Sequence, residues 1–156
     1  MSTSSHARTQ RQRGVAAVEL AILLPLLVVL IAFPLFFGRV FMYYSVAQKA
    51  AQNAAMYLAT IPKLDMQDTN KSAAAKNIAE EIVEITIGEL KPGTGAIGFQ
   101  IQCDDSSCGL GAIPNNVSVN VRLVLYDDYF SSFTWLFLHD GPLVINADAK
   151  IGYLGQ

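Results

Sequence analysis

Charge is scarce in this chain. Asp, Glu, Lys and Arg make up 15% of its 156 residues, against about 25% in an ordinary globular domain. A chain so poor in charge and 52% hydrophobic is not a disordered one. A net charge of −2 also excludes a basic nucleic-acid binder. Cysteine is nearly absent: Cys103 and Cys108 are too few for a disulfide-dense scaffold or a four-thiolate zinc site. Six prolines and eleven glycines exclude collagen-like and low-complexity classes. The two histidines are His6 and His139, and the turn-like His139-Asp140-Gly141 does not supply a catalytic triad. No phosphate loop, dinucleotide fingerprint or metalloprotease helix is present. The adjacent carboxylates Asp104/Asp105 and Asp127/Asp128 read as solvated loop residues. No enzyme, cofactor or metal is therefore expected, and the length suits one domain.

What is present is a strong asymmetry. Residues 1–14 carry Arg8, Arg11 and Arg13 and no acid, in a Ser/Thr/Gln-rich stretch expected to be unstructured. From Val15 to Phe37 the only charge is Glu19. Leu20–Phe37 as helix spans roughly 27 Å, close to a bilayer's hydrocarbon core. A buried core helix rarely stays apolar all round for so long. The expectation is a membrane-spanning helix in the lipid bilayer, with its N-terminus cytoplasmic because the arginines precede it. A Sec signal peptide, cut around Ala47 to Ala51, is the weaker alternative, since its apolar run would be shorter.

An acid inside an apolar run needs a reason. Near a helix N-terminus Glu19 is favoured by the dipole. A sharper reading starts at Gly14, where basic chain meets apolar helix and a protease at the cytoplasmic face has access. Cleavage there gives Val15 a free amine four residues before Glu19, on the same helix face. Ammonium and carboxylate attract strongly in a low-dielectric setting, within a chain or between neighbours. The string Arg13-Gly14-Val15-Ala16-Ala17-Val18-Glu19-Leu20, running on to Pro25, resembles the class III signal of type IV prepilins. With Gly38 and the alanines Ala47, Ala50, Ala51, Ala54 and Ala55, it resembles the TadE/TadF-like minor pseudopilins of the Tad (Flp) pilus. Leu20 stands where an aromatic residue is usual in the family, and Met56 where an arginine is common. The resemblance implies cleavage between Gly14 and Val15 by a membrane-embedded prepilin peptidase. It also implies other Tad pilins and an inner-membrane assembly platform as partners. Loss of residues 1–14 removes three of eleven basic residues and none of thirteen acids, leaving a formal charge of −5.

Pro25 and Pro34 free the carbonyls of Ala21 and Leu30, and are candidate hinges in the helix. Phe33, Phe36, Phe37, Phe41, Tyr43 and Tyr44 are placed as an interfacial aromatic belt. The alanine stripe through Leu58 and Ala59 continues the helix over 15–60, ending before Pro62. It either covers the protein's own head, the preferred reading, or admits a partner helix. A second helix, roughly Lys71–Leu90, is expected to be capped by Thr69 or Asn70. Its apolar stripe would be Ile78, Ile82, Ile85 and Leu90, beside acids at Glu80, Glu81, Glu84 and Glu89. Lys91-Pro92-Gly93 then breaks it.

Beyond that the period becomes two: Ile97/Phe99/Ile101, then Val117–Leu125, then Ile145–Tyr153, each alternating with polar residues. Three half-buried strands predict an antiparallel sheet packed on the helices. Tyr129–Leu138, with Phe130, Phe133, Trp135 and Phe137, is read mainly as core. Cys103 and Cys108, outside the cytoplasm, are expected to pair. The fold class is α+β. Residues 1–14 are a leader, 15–60 a transmembrane and assembly helix, and 61–156 a periplasmic or extracellular head. The function expected is that of a minor pilin in an adhesive Tad pilus, with a single inner-membrane pass. The alternative is a single-pass inner-membrane protein whose periplasmic domain binds a ligand or scaffolds an envelope complex.

Overall fold

The structure is a computed structural model, and it describes residues 7–88, 90, 97–104, 106–125 and 143–155. Helix α1 runs Ala7–Ala59, α2 Lys63–Gln67 and α3 Thr69–Gly88. The strands are β1 Ile97–Cys103, β2 Ser106–Ser107, β3 Asn116–Leu125 and β4 Leu143–Gly152. The chain divides into two compact units, Met1–Val40 and Phe41–Gln156. The fold is α+β, with a long apolar N-terminal helix and an antiparallel sheet.

α1 starts at Ala7, so part of the basic stretch expected to be unstructured is helical. Ala, Arg and Gln are good helix formers, and an existing helix downstream removes the cost of nucleation. In the second unit the sheet order is β2-β1-β3-β4, four strands rather than the three expected. The extra strand is two residues long and pairs only with Gln102 and Cys103, too short for a period-two signal. β3 is central, in register Val117↔Ile151 through Leu125↔Leu143 with β4 and Ile97↔Leu123 through Cys103↔Val117 with β1.

That register sets Ile101, Cys103, Val117, Val119, Val121, Leu123, Ile145, Ala147 and Ala149 on one buried face. The helices cover it. Ala47, Ala50, Ala51, Ala54, Ala55, Leu58 and Ala59 of α1 are fully buried, so the alanine face lies inside the protein's own head. Side chains this small let the helix backbone come close to its neighbours. α3 packs on β1, but not through the stripe expected. Its buried face is Ser72, Ala75, Ala79, Val83 and Ile87. Ile78 and Ile85 are instead 43% and 60% exposed. The buried stripe is displaced from the expected one by about one position, with Val83 and Ile87 joining Ser72, Ala75 and Ala79.

The helix cap also differs. Asp68 precedes α3, and its carboxylate accepts from Asn70 N–H at 2.9 Å and Lys71 N–H at 3.4 Å. Asn70 and Thr69 are themselves in the first turn. Tyr129–Leu138, with Phe130, Phe133, Trp135 and Phe137, lies outside the described residues, as do His6, Glu89, Lys91-Pro92-Gly93, Asp105, Asp127, Asp128 and His139-Asp140-Gly141.

Candidate functional site

The first unit carries the chemistry singled out by the sequence. α1 is unbroken through Gly14 and Val15 and through both Pro25 and Pro34. Between Val15 and Phe37, fourteen large apolar side chains are exposed. The runs Ile22-Leu23-Leu24 and Leu26-Leu27-Val28-Val29-Leu30-Ile31 are parted only by Pro25, so every helix face is apolar. At about 1.5–3 kcal/mol per side chain, covering them is worth tens of kcal/mol. Such a surface is compatible with a membrane. Among the described residues it is the one helix long and apolar enough to cross a membrane.

Glu19 is exposed on that surface, one helical turn beyond the exposed Val15. An i, i+4 pair faces the same way, with Cβ atoms about 6 Å apart. The aromatic residues of the expected belt differ in exposure. Phe36 and Tyr43 are buried, while Phe37, Phe41 and Tyr44 are exposed. Phe37 stacks on Phe33 with ring centroids 6.3 Å apart and meets Phe36 edge-on at 5.6 Å.

In the second unit the described loops are cross-linked. Cys103 and Cys108 are joined by a disulfide at the end of β1. Asp104, inside that loop, has φ +48°. Its carboxylate accepts from Asn115 N–H at 2.6 Å, Asn115 Nδ2 at 3.2 Å and Asn116 N–H at 2.9 Å. The Asn115 backbone donor, more than the others, holds its pKa below the ordinary carboxylate value, and Lys150 adds attraction. Asp104 is exposed, as expected of a solvated loop residue, and also clamps two loops together. Its place between a strand end and a cysteine, where a left-handed Asp is tolerated, is the signal the sequence offers. Gly111, at φ +74°, lies so close to α2 that a Cβ would stand 2.8 Å from Gln67 O. No cluster of metal-ligating side chains occurs among the described residues. An open groove of about 420 Å³ lies between α1, α2 and α3, lined by Tyr57, Ile61, Pro62, Ala74 and Ile78, with Asp65 and Lys71 beside it.

Comparison with known proteins bears on the helix. A basic approach, a glycine, an acid four residues into the apolar run and an alanine-rich continuation define an N-terminal helix compatible with a membrane. Residues 14–56 match the family model described as TadE-like protein. This segment is TadE-like, which suggests a Tad pilus association, and it lies on the helix long and apolar enough to cross a membrane among the described residues. No curated protein and no solved structure matches the chain.

Proposed function

We propose that this protein is a minor pilin or pseudopilin of a Tad-type adhesive pilus, with a structural rather than a catalytic role. The observation that carries the reading is the TadE-like match beginning at Gly14, on a helix whose apolar surface from Val15 to Phe37 carries one charge, Glu19. Residues 1–14 act as a cytoplasmic leader, and prepilin peptidase cuts between Gly14 and Val15. Residues 15–60 hold the subunit in the inner membrane and later pack against other Tad pilins at the assembly platform. Residues 61–156 form the periplasmic head. Pro25 and Pro34, each lacking an N–H, are the points at which the helix bends as it leaves lipid.

Glu19 and the new Val15 amine supply a directional contact in a medium where apolar packing has little direction. Removing the carboxylate leaves the helix no less apolar, so membrane insertion is retained. Glu19→Ala should give a membrane-inserted, stable protein whose amount in sheared pilus fractions falls sharply. Wild-type incorporation of that variant would remove Glu19 from the mechanism.

A further inference from the structure

We infer that the segment Tyr153–Gly155, together with Gln48, is a polar latch that fastens the last turns of α1 along the outer edge of β4. The latch belongs to the head alone, whether or not the protein enters a pilus.

Strand parity sets which backbone groups face outward. Tyr153 N–H donates to Asn115 O at 2.8 Å, extending the β3–β4 ladder one step past Asn116↔Gly152. In an antiparallel pair the bonded and non-bonded positions alternate. Ile151, Ala149, Ala147 and Ile145 therefore bond to β3, while Lys150, Asp148, Asn146 and Val144 turn their backbone groups to the outer edge. At that edge Gln48 Nε2 donates to Asp148 O at 2.9 Å. Beyond the strand, Leu154 N–H donates to Ala59 O at 3.0 Å and Gly155 N–H to the same oxygen at 3.4 Å. The Tyr153 hydroxyl donates to Ile61 O at 2.7 Å.

The spacing agrees with a helix lying beside the strand in the same direction. Gln48 to Ala59 is about 17 Å of helix. Asp148 to Leu154 is about 20 Å of strand. Two attachments at matched spacing hold one element against the other.

The end of α1 shows what the latch supplies. The last carbonyls of a helix have no intrahelical partner. Thr60 N–H serves Met56 and Tyr57, and Ile61 N–H serves Leu58. Ala59 O takes its donors from Leu154 and Gly155. Gly155 has φ +49°, and a Cβ there would stand 2.7 Å from both Lys63 Cε and Tyr153 Cε1. The turn that brings these donors back over the helix therefore calls for glycine. The fastening is polar: Leu154 is 62% exposed, so its backbone, not its side chain, makes the attachment. Burial raises the Tyr153 phenol pKa above its ordinary value, with Asp65 adding to it, so the hydroxyl stays a donor at neutral pH.

The attachments to α1 are distinct from the sheet ladder, which ends with the Tyr153 N–H bond to Asn115 O, whereas Leu154, Gly155 and the Tyr153 hydroxyl bond to Ala59 and Ile61. Amide hydrogen exchange on the full chain in lipid nanodiscs tests the latch, using three variants. Deletion of Leu154–Gln156, and separately Tyr153→Phe, should speed exchange across Ala54–Ile61 by about tenfold, the scale of one lost hydrogen bond. Amides of β3 should be unchanged in both, and Leu154→Ala should match wild type throughout. Unchanged exchange at Ala54–Ile61 in both latch variants would overturn the inference. So would equal acceleration in β3, which would make the segment part of the general core. A Leu154→Ala effect as large as the deletion's would overturn it too, since the attachment would then be apolar.

Discussion

The alanine face of α1 decides between a helix that covers its own head and one that waits for a partner. Ala54 sits at its centre and is fully buried, with Ala50, Ala51, Ala55 and Leu58 equally buried around it. Replacing it with Leu adds a bulky side chain where only a methyl group is accommodated. Overpacking of this kind costs about 1–3 kcal/mol. For a chain of this size each kcal/mol moves the melting temperature by roughly 2–4 °C, so the variant should melt roughly 2–12 °C lower. Met56, two residues on and 61% exposed, is the control: Met56→Leu should leave the midpoint within about a degree. The assay is thermal unfolding of the full chain in nanodiscs, followed by near-UV circular dichroism. An Ala54→Leu protein that melts like wild type would refute the packing argument. If the same protein also failed to enter pilus fractions, the alanine face would be an intersubunit surface instead.

Three further outcomes follow from the geometry. Asp104 has a lowered pKa, so its stabilising contribution is complete above the ordinary carboxylate range and is lost as pH falls through the lowered value. The difference in urea midpoint between wild type and Asp104→Asn should therefore shrink as the pH is taken from neutral down through the carboxylate range, and a constant difference would show that the clamp is not ionic. Replacing Cys103 and Cys108 with Ser should cost about 2 kcal/mol, the chain-entropy value for so short a loop, with the β3–β4 amides still protected. Leu58→Ala, at a fully buried side chain, should cost about 2–5 kcal/mol in the same unfolding assay, and a cost under about 1 kcal/mol would mean that the site collapses around the cavity.

The parts of the fold legible in the sequence are those in which hydropathy and geometry agree. An uninterrupted apolar run has no amphipathic alternative, so α1 can be read directly. β3 and β4 alternate cleanly because one face is buried and the other meets water. The buried face of α3 is not legible in the same way, because residue type weighs Ile78 and Ile85 above Ala75 and Ala79. The buried stripe lies about one position away and runs on through Val83 and Ile87, a shift that residue type does not reveal. β2 and α2, of two and five residues, are too short to carry a period and arise from the loop around Cys103–Cys108 and the turn after Pro62. The Asp104 clamp and the latch join residues outside any local pattern, Gln48 with Asp148 and Tyr153 with Ile61. Local spacing holds no trace of such pairs. Gly14, Val15 and Glu19 are of another kind: their proposed roles are played against a peptidase and a neighbouring subunit, and only residue type and spacing point to them.

The central claim is that α1 becomes an assembly helix by being cut near its start. Its most direct test is the intact mass of the membrane-extracted protein, measured in cells with and without the cognate prepilin peptidase. The account predicts a chain beginning at Val15, with three fewer arginines, only where the peptidase is present. A chain that keeps residues 1–14 in both would contradict it and favour the anchored ligand-binding or scaffolding protein. A start near residue 48 or 52 would also contradict it, as the mark of a secreted chain.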